Sequence, residues 1–467
     1  MDEQVNAKQS ASGSSSEPNN NLQIPFVNQN ELPVEVVVAL MPEMVRGQSL
    51  GIAPSILAML GELREKFGPQ KVEPLWPLGI SALTTGPNLK LNAAFDLTPA
   101  AVDFLSKAKT LLGKNAAGSV ALLPAEEIDQ ARMRLKLTFA PRTDVASVLN
   151  QIQDTKGIDY SEEIGDGECP NLPSKGKGDM VPKRAPKRRK LPPRFNPKQF
   201  PVAPWAQWAK KEIGWIPSWG RLELQNIAIL DSGVDSTHPS LLDAVDFGDE
   251  ESKADPSGHG TFIAGVIVGR KQKATEKFGL DPVAVSDTMN GLLPKSKVWV
   301  RNVMNPVGIR TSNSQLTYRV DAGRYSNALN QISQAKENPR GDKRLKKIEV
   351  VNLSLGSRRL SITEQRDIGR LMKSGVTVVA AVGNHRLGEP DEILYPAAYE
   401  GVVAVGAQGY HGGVWPGTNR TGSNRSETIN IVAPGNLILS TMPLASSAMG
   451  IPFSGWLSGT SMAAPHV

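Results

Sequence analysis

Between Pro201 and Val467 the chain alternates short apolar runs with helical patterns, and this alternation limits its fold more than any other feature. Asn226–Leu230 (NIAIL), Val298–Val303, Ile348–Leu353, Val376–Val382 and Val402–Val405 are runs of four to seven residues, rich in β-branched residues and bounded by turn formers. Tyr325–Lys336 and Thr363–Lys373, lying between them, carry apolar residues at helical spacing. A strand covered on both faces reads as a continuous apolar run, and strands separated by helices pair in parallel. Region 201–467 is therefore expected to be α/β, with a doubly wound, mainly parallel sheet and helices on both faces.

The texture upstream is different. Residues 1–33 are rich in Ser, Asn and Gln and are expected to be a disordered tail. From 34 to 164 an α+β region is expected. Val34–Leu40 (VEVVVAL) reads as a strand, Ile56–Lys66 as a helix, and Val72–Leu75 as a strand that Pro74 confines to an edge. Met133–Phe139 alternates as a half-buried strand does, Asp144–Ile152 is an amphipathic helix with Thr143 in the N-cap position, and Ile158–Ile164 closes the second unit. The two units fit either the halves of one ferredoxin-like domain with 79–132 inserted, or two small separate domains. Residues 165–200 read as a Pro/Gly-rich tether. Its basic run KRAPKRRK, 183–190, is either a solvated linker or an exposed processing site.

Bulk properties remove several function classes. One cysteine, Cys169, rules out an internal disulfide and any Cys-based metal cluster, and leaves the redox compartment open. Residues 1–22 have neither a basic start nor an apolar run, so no signal peptide is expected. No apolar stretch approaches the ~20 residues of a membrane span; on these grounds the cytoplasm is favoured and no membrane partner is expected. The net charge of +6 arises in one place: Lys175–Lys198 holds ten Lys/Arg against a single acid, Asp179. With that segment removed the chain is net acidic, so a basic nucleic-acid-binding surface is not implied.

Three segments carry chemistry. In IAILDSGVDSTHPSL, 227–241, an apolar strand ends on Asp231. Parallel sheets build their sites at that edge, although an Asp opening a turn is ordinary by itself. In SGHGTFIAGVIVG, 257–269, His259 lies between two glycines and opens a helix, and Ala264-Gly265 marks a face for close packing; a capping or core histidine is the bland alternative. In SGTSMAAPHV, 458–467, Ser461 sits among small residues at a helix start, where a simple N-cap serine is the alternative.

Together these segments resemble the subtilisin-like serine proteases. The family signatures occur in order as Asp231-Ser232-Gly233, His259-Gly260-Thr261 with Ala264-Gly265, and Gly459-Thr460-Ser461-Met462-Ala463 with Pro465. Asn352–Gly356 is similar to the family's substrate strand, and Ala380–Asn384 to the strand and turn that present its oxyanion asparagine. Tyr395-Pro396-Ala397, Val402–Ala407 and Ala433-Pro434-Gly435 agree in place. The resemblance covers 201–467.

The resemblance implies an endopeptidase acting on proteins or peptides. Ser461 would be the nucleophile, His259 the general base, Asp231 the acid that orients it, and Asn384 the oxyanion donor. Substrate would lie against Ser354, Leu355 and Gly356, with Ala381, Val382 and Gly383 as the opposite wall. It further implies that 34–164 acts as a propeptide-like inhibitor or chaperone, with an attached regulatory domain as the alternative. Three departures stand out. Ser240 occupies the position where many members have a calcium-ligating aspartate, so no cofactor or metal is expected, with calcium left open as the alternative although its usual ligand position is Ser240. Gly269–Gly291 lacks the usual calcium loop. Ser461 lies six residues from Val467, where the family continues with a long buried helix, so the domain is expected to be C-terminally incomplete. A rival function is that of a catalytically silent binding or regulatory member, against which all four positions stand intact.

Overall fold

The computed structural model describes residues 32–40, 54–74, 134–155, 158–164, 208–270, 290–307, 317–385, 393–417, 421–443 and 454–467. The tail before 32, the insertion 79–132 and the linker 165–200 with Cys169 lie outside the described residues.

The N-terminal region forms one four-stranded sheet. Its strands are β1 (Val34–Leu40), β2 (Lys71–Pro74), β3 (Arg134–Phe139) and β4 (Ile158–Glu163), in the order β2-β3-β1-β4. Every pair is antiparallel, and β1 is central, with Val36 opposite Leu137 on one side and Glu163 on the other. The two βαβ-like units are thus halves of a single sheet. Pro74 falls on the edge strand, where its missing N–H leaves no ladder bond unmade. Helices Pro54–Phe67 and Val145–Gln153 accompany the sheet, whose core holds Val36, Val38, Leu63, Leu137, Phe139 and Ile152. The cap of the second helix differs from expectation. Asp144 is the N-cap, accepting from Ser147 N at 3.2 Å, while the Thr143 hydroxyl donates to Ala140 O. A carboxylate one residue further on reaches the orphan N–H better than the hydroxyl expected to do so.

The second sheet has seven strands, all parallel. They are β5 (Ile227–Asp231), β6 (Val245–Phe247), β7 (Val298–Asn302), β10 (Val350–Leu353), β11 (Thr377–Ala381), β12 (Val403–Gln408) and β13 (Ile431–Pro434), in the order β13-β12-β11-β10-β5-β7-β6. Two hairpins flank it: β8 (Met304–Val307) with β9 (Thr317–Val320), and β14 (Ile438–Thr441) with β15 (Ser454–Leu457). The short β6 and β13 and the hairpins escape a search for apolar runs because they are three or four residues long and are interrupted by Pro, Ser, Asp or Arg.

Alternate residues of each strand serve opposite faces. Ala228 and Leu230 of β5, with Val378 and Ala380 of β11, join Leu329, Ile332, Ile368 and Leu371 from helices Ala322–Glu337 and Ile362–Lys373. Ile229 packs instead with Phe262, Ile263 and Val266 of helix His259–Val268. Val379 and Ala381 face Ala463 and Ala464, in and just after the short helix Thr460–Ala463. Continuous apolar runs are the direct result of this two-sided cover.

Chain order reverses beside β5. Its successors β6 and β7 lie to one side, and β10 to β13 to the other, so a crevice opens at the carboxyl ends of β5 and β10. Asp231 ends β5, and Ser354 follows β10.

The His259 helix approaches the β14 hairpin closely at Gly265, where a β-carbon would stand 2.1 Å from Thr441 Oγ1 and 2.4 Å from Ser440 Oγ. Those hydroxyls donate to Thr261 O and Phe262 O at 2.6 Å each. Gly265→Ala is expected to push the hairpin away and cost about 1–3 kcal/mol, read as a lowered denaturation midpoint with an unchanged m-value.

Candidate active site

Asp231 is wholly buried, and its carboxylate is assembled by the turn that ends β5. Ser232 N donates to Oδ1 at 2.7 Å, and the Ser232 hydroxyl lies 3.2 Å from the same oxygen. His259 is the first residue of its helix, after Gly258 in a left-handed conformation (φ 81°). Its Nδ1 lies 2.8 and 3.0 Å from the two Asp231 oxygens, and the ring is also fully buried. Nδ1 must carry the proton in this contact, because both carboxylate oxygens are acceptors. Burial disfavours the charged ring, but the charge and hydrogen bond of Asp231, helped by Asp255, outweigh it and hold the His259 pKa above that of an ordinary imidazole. The other nitrogen, Nε2, has no hydrogen-bond partner among the described residues.

The glycine after His259 makes this pairing possible. A β-carbon on Gly260 would come 2.0 Å from Gly233 O and 3.3 Å from Asp231 Cβ. Only a bare backbone brings the His259 helix this near the β5 turn.

Ser461 is the second residue of the Thr460–Ala463 helix, which packs on β11 to β13 and against the His259 helix. Its hydroxyl donates to Ser354 O at 3.1 Å, and the Ser354 hydroxyl donates back to Ser461 O at 2.8 Å. The structure thus joins Asp231 to His259 and Ser461 to Ser354, and the Ser461 hydroxyl is turned to the substrate-strand candidate, not hydrogen-bonded to His259. One rotation about Cα–Cβ separates such rotamers.

Asn384 follows Gly383 at the end of the β11 turn. Its Oδ1 accepts from Thr460 N at 2.8 Å and from Thr460 Oγ1 at 3.0 Å, and that hydroxyl accepts from Gly383 N at 3.1 Å. A backbone N–H can only donate, so the amide oxygen is the atom facing Thr460. Asn384 Nδ2 lies beside Gly459, 3.2 Å from where a β-carbon on that glycine would stand.

The wall residues divide. Ser354 is tied to Ser461 as above. Leu355 and Val382 are buried in the core, and Ala381 packs with Val405 and Ala463. Val382 N donates to Val405 O, and its carbonyl accepts from Leu394 N and Asn424 Nδ2. Gly356 and Gly383 both lie against Leu394, within 3 Å of where their β-carbons would be.

Two residues here were given no role from the sequence. Asp255 is buried, and its carboxylate collects four donors: Ser232 Oγ at 2.8 Å, Gly258 N at 2.7 Å, Thr261 N at 2.7 Å and Thr261 Oγ1 at 2.6 Å. It ties the first turn of the His259 helix to Ser232, and so to Asp231. Burial pushes its pKa up to about 6, against those hydrogen bonds. The only signal available was its spacing, four residues before His259. Ser232 is the other, its hydroxyl lying between two carboxylates and accepting from Gly260 N at 3.0 Å.

At the position of the family's calcium aspartate, Ser240 donates its N–H to His238 Nδ1 and takes Arg270 N on its carbonyl. Among the described residues no group of three or more His, Cys, Asp or Glu is placed to hold a metal ion.

Residues 225–467, just over half the chain, match the model of the subtilase family. The chain belongs to the subtilase family. It is 29% identical over 252 residues to the major intracellular serine protease of Bacillus subtilis (strain 168), covering 52% of this chain and 65% of that one. It is 29% identical over 254 residues to the intracellular serine protease of Paenibacillus polymyxa, with 52% and 63% covered. With the subtilisin of Bacillus pumilus it shares 30% over 247 residues, 52% and 73% covered. The chain thus spans less than two thirds of the length of the first two relatives.

Asp255→Asn would turn amide N–H groups toward donors that now face a carboxylate. It is expected to cost about 1–3 kcal/mol in stability and, by removing an anion near His259, to lower that ring's pKa. Denaturation and an NMR titration of the His259 ring check both effects.

Proposed function

We infer that this chain is the catalytic part of a serine endopeptidase. The observation that carries the reading is the wholly buried hydrogen bond between Asp231 and His259 Nδ1, which leaves Nε2 without a hydrogen-bond partner among the described residues. A serine hydroxyl is a weak nucleophile until a base removes its proton. After rotation from Ser354 O toward Nε2, Ser461 would give its proton to His259 and attack the scissile carbonyl. Asp231 would hold the tautomer and stabilise the imidazolium, and His259 would then protonate the leaving amine. The Asn384 N–H donors, with the Ser461 backbone N–H, would receive the charge that develops on the carbonyl oxygen. Substrate would pair as an added strand along Ser354–Gly356, with Ala381–Gly383 as the opposite wall.

The protein or peptide substrates follow from the same chemistry. The N-terminal sheet is proposed as the chain's own inhibitor or folding partner, because Ile164, just past β4, lines a groove together with Leu355, Gly356 and Ser357. No helix among the described residues is long and apolar enough to cross a membrane. Two relatives are named intracellular proteases, which favours a cytoplasmic setting for this one.

Labelling of Ser461 by a fluorophosphonate tests the assignment: the intact chain is expected to label, and Ser461→Ala to lose both label and peptide hydrolysis. An unlabelled wild-type chain with an ordered fold would favour the silent binding reading instead. Asn384→Ala is expected to lower kcat by about 10²–10³-fold with little change in KM. The base must be neutral to act, and Asp231 raises the His259 pKa, so activity should fall off on the acid side at a higher pH than an ordinary imidazole gives. A pH profile of kcat/KM reads this directly.

A further inference from the structure

The N-terminal sheet rests on two helices of the second unit, Ala322–Glu337 and Ile362–Lys373. Several contacts across this boundary are exposed ion pairs, such as Arg366 with Asp159 at 3.0 Å and Arg359 with Glu163. Pairs of that kind hold little, because water screens them. Others cap a helix. Glu162 accepts from Ile362 N at 2.6 Å, Thr363 N at 3.0 Å and the Ser361 hydroxyl at 3.0 Å, which completes the first turn of the second helix.

One contact is of a different kind. Arg134 opens β3, and its side chain is only 2% exposed. Its guanidinium lies 2.8 Å from Asp367 Oδ1, itself 2% exposed and 233 positions away in sequence. The other Asp367 oxygen accepts from the Ser326 hydroxyl at 2.5 Å, and the Arg134 guanidinium also reaches Thr363 O at 3.5 Å. Tyr160 of β4, bonded to Thr363 Oγ1 at 3.0 Å, stands beside the pair. Each partner comes from a different unit, and each would be a costly buried ion without the other.

An apolar pair could fill the same space without the desolvation penalty, so adhesion alone does not account for charges here. What the pair adds is selection. A sheet that brought an apolar side chain to this position would bury Asp367 with the Ser326 hydroxyl as its one remaining side-chain donor among the described residues, and a sheet that brought an acid would add a second negative charge.

We propose that Asp367 and Ser326 form a guanidinium receptor on the catalytic unit, and that insertion of Arg134 is what selects this chain's own N-terminal sheet as the occupant of the two-helix face. The docked sheet then delivers Ile164 alongside Leu355–Ser357, so the receptor also governs what lies along the proposed substrate strand. This last consequence rests on the hydrolase reading; the receptor itself does not.

Hydrogen exchange of the full chain tests the proposal, read at the Ile362 and Thr363 amides that donate across the boundary to Glu162. Arg134→Met is expected to speed their exchange by about 100-fold or more, while amides within the β1–β3 ladder stay protected. Arg134→Lys, which keeps the charge, should stay within about tenfold of wild type, and Arg134→Met with Asp367→Leu should recover most of the lost protection. Unchanged exchange in Arg134→Met, or a double variant as unprotected as Arg134→Met, overturns the proposal. Should Arg134→Met fail to fold, the double variant decides: protected Ile362 and Thr363 amides support the receptor, and unprotected ones reject it. The readout needs no hydrolysis, so an unlabelled Ser461 would refute the protease reading and leave this result standing.

Discussion

The site depends on one close approach, the Gly260 backbone resting against the Gly233 carbonyl. A parallel sheet can carry a carboxylate to its edge, but it cannot bring up a helix-borne imidazole unless helix and turn nearly touch. Gly260 permits that contact, and Asp255 holds it by drawing donors from Gly258 and Thr261 on the helix side and from Ser232 on the strand side. The Asp231–His259 pair is then a rigid object, whereas Ser461 and Asn384 arrive from the far half of the sheet, on β11 and the short helix that packs against it.

Three buried aspartates and one half-buried glutamate show four ways of holding an acid within the fold. Asp231 is matched by an imidazole, and Asp255 is surrounded by neutral donors. Asp367 is matched by a guanidinium from another unit. Glu364 has a tyrosine hydroxyl, that of Tyr399 at 3.0 Å, and burial pushes its pKa up to about 7, so near neutrality much of it holds its proton. Only Asp367 depends on a partner that could leave. That distinction separates charges built into the second unit from the one that senses whether the N-terminal sheet is present.

Much of the fold was legible in the chain. The continuous runs of β5, β7, β10, β11 and β12 announced a two-sided parallel sheet, because strands covered on both faces have no polar face to interrupt them. Their ends were less legible, shifting by a few residues where a strand bends off into a turn. The short β6 and β13 and the hairpins gave no periodic signal. Thr143 was read as a cap that Asp144 provides, since either residue type suits the position and only the backbone decides which oxygen reaches the N–H.

The candidate residues were likewise readable, as three motifs in order with an asparagine between them. Local sequence dictates such motifs because each requires particular small residues next to the reactive one. Sequence by itself therefore determined the sheet class, the family and the residue types at Asp231, His259, Ser461 and Asn384. Tertiary structure alone decided the rotamer that turns Ser461 toward Ser354, the donors around Asp255, the union of 34–74 and 134–164 in one sheet, and the burial of Arg134 against Asp367. Each of these joins groups that no local pattern connects, and pairing across long sequence separations is set by packing and the cost of unpaired buried charge, neither of which is written in any single segment.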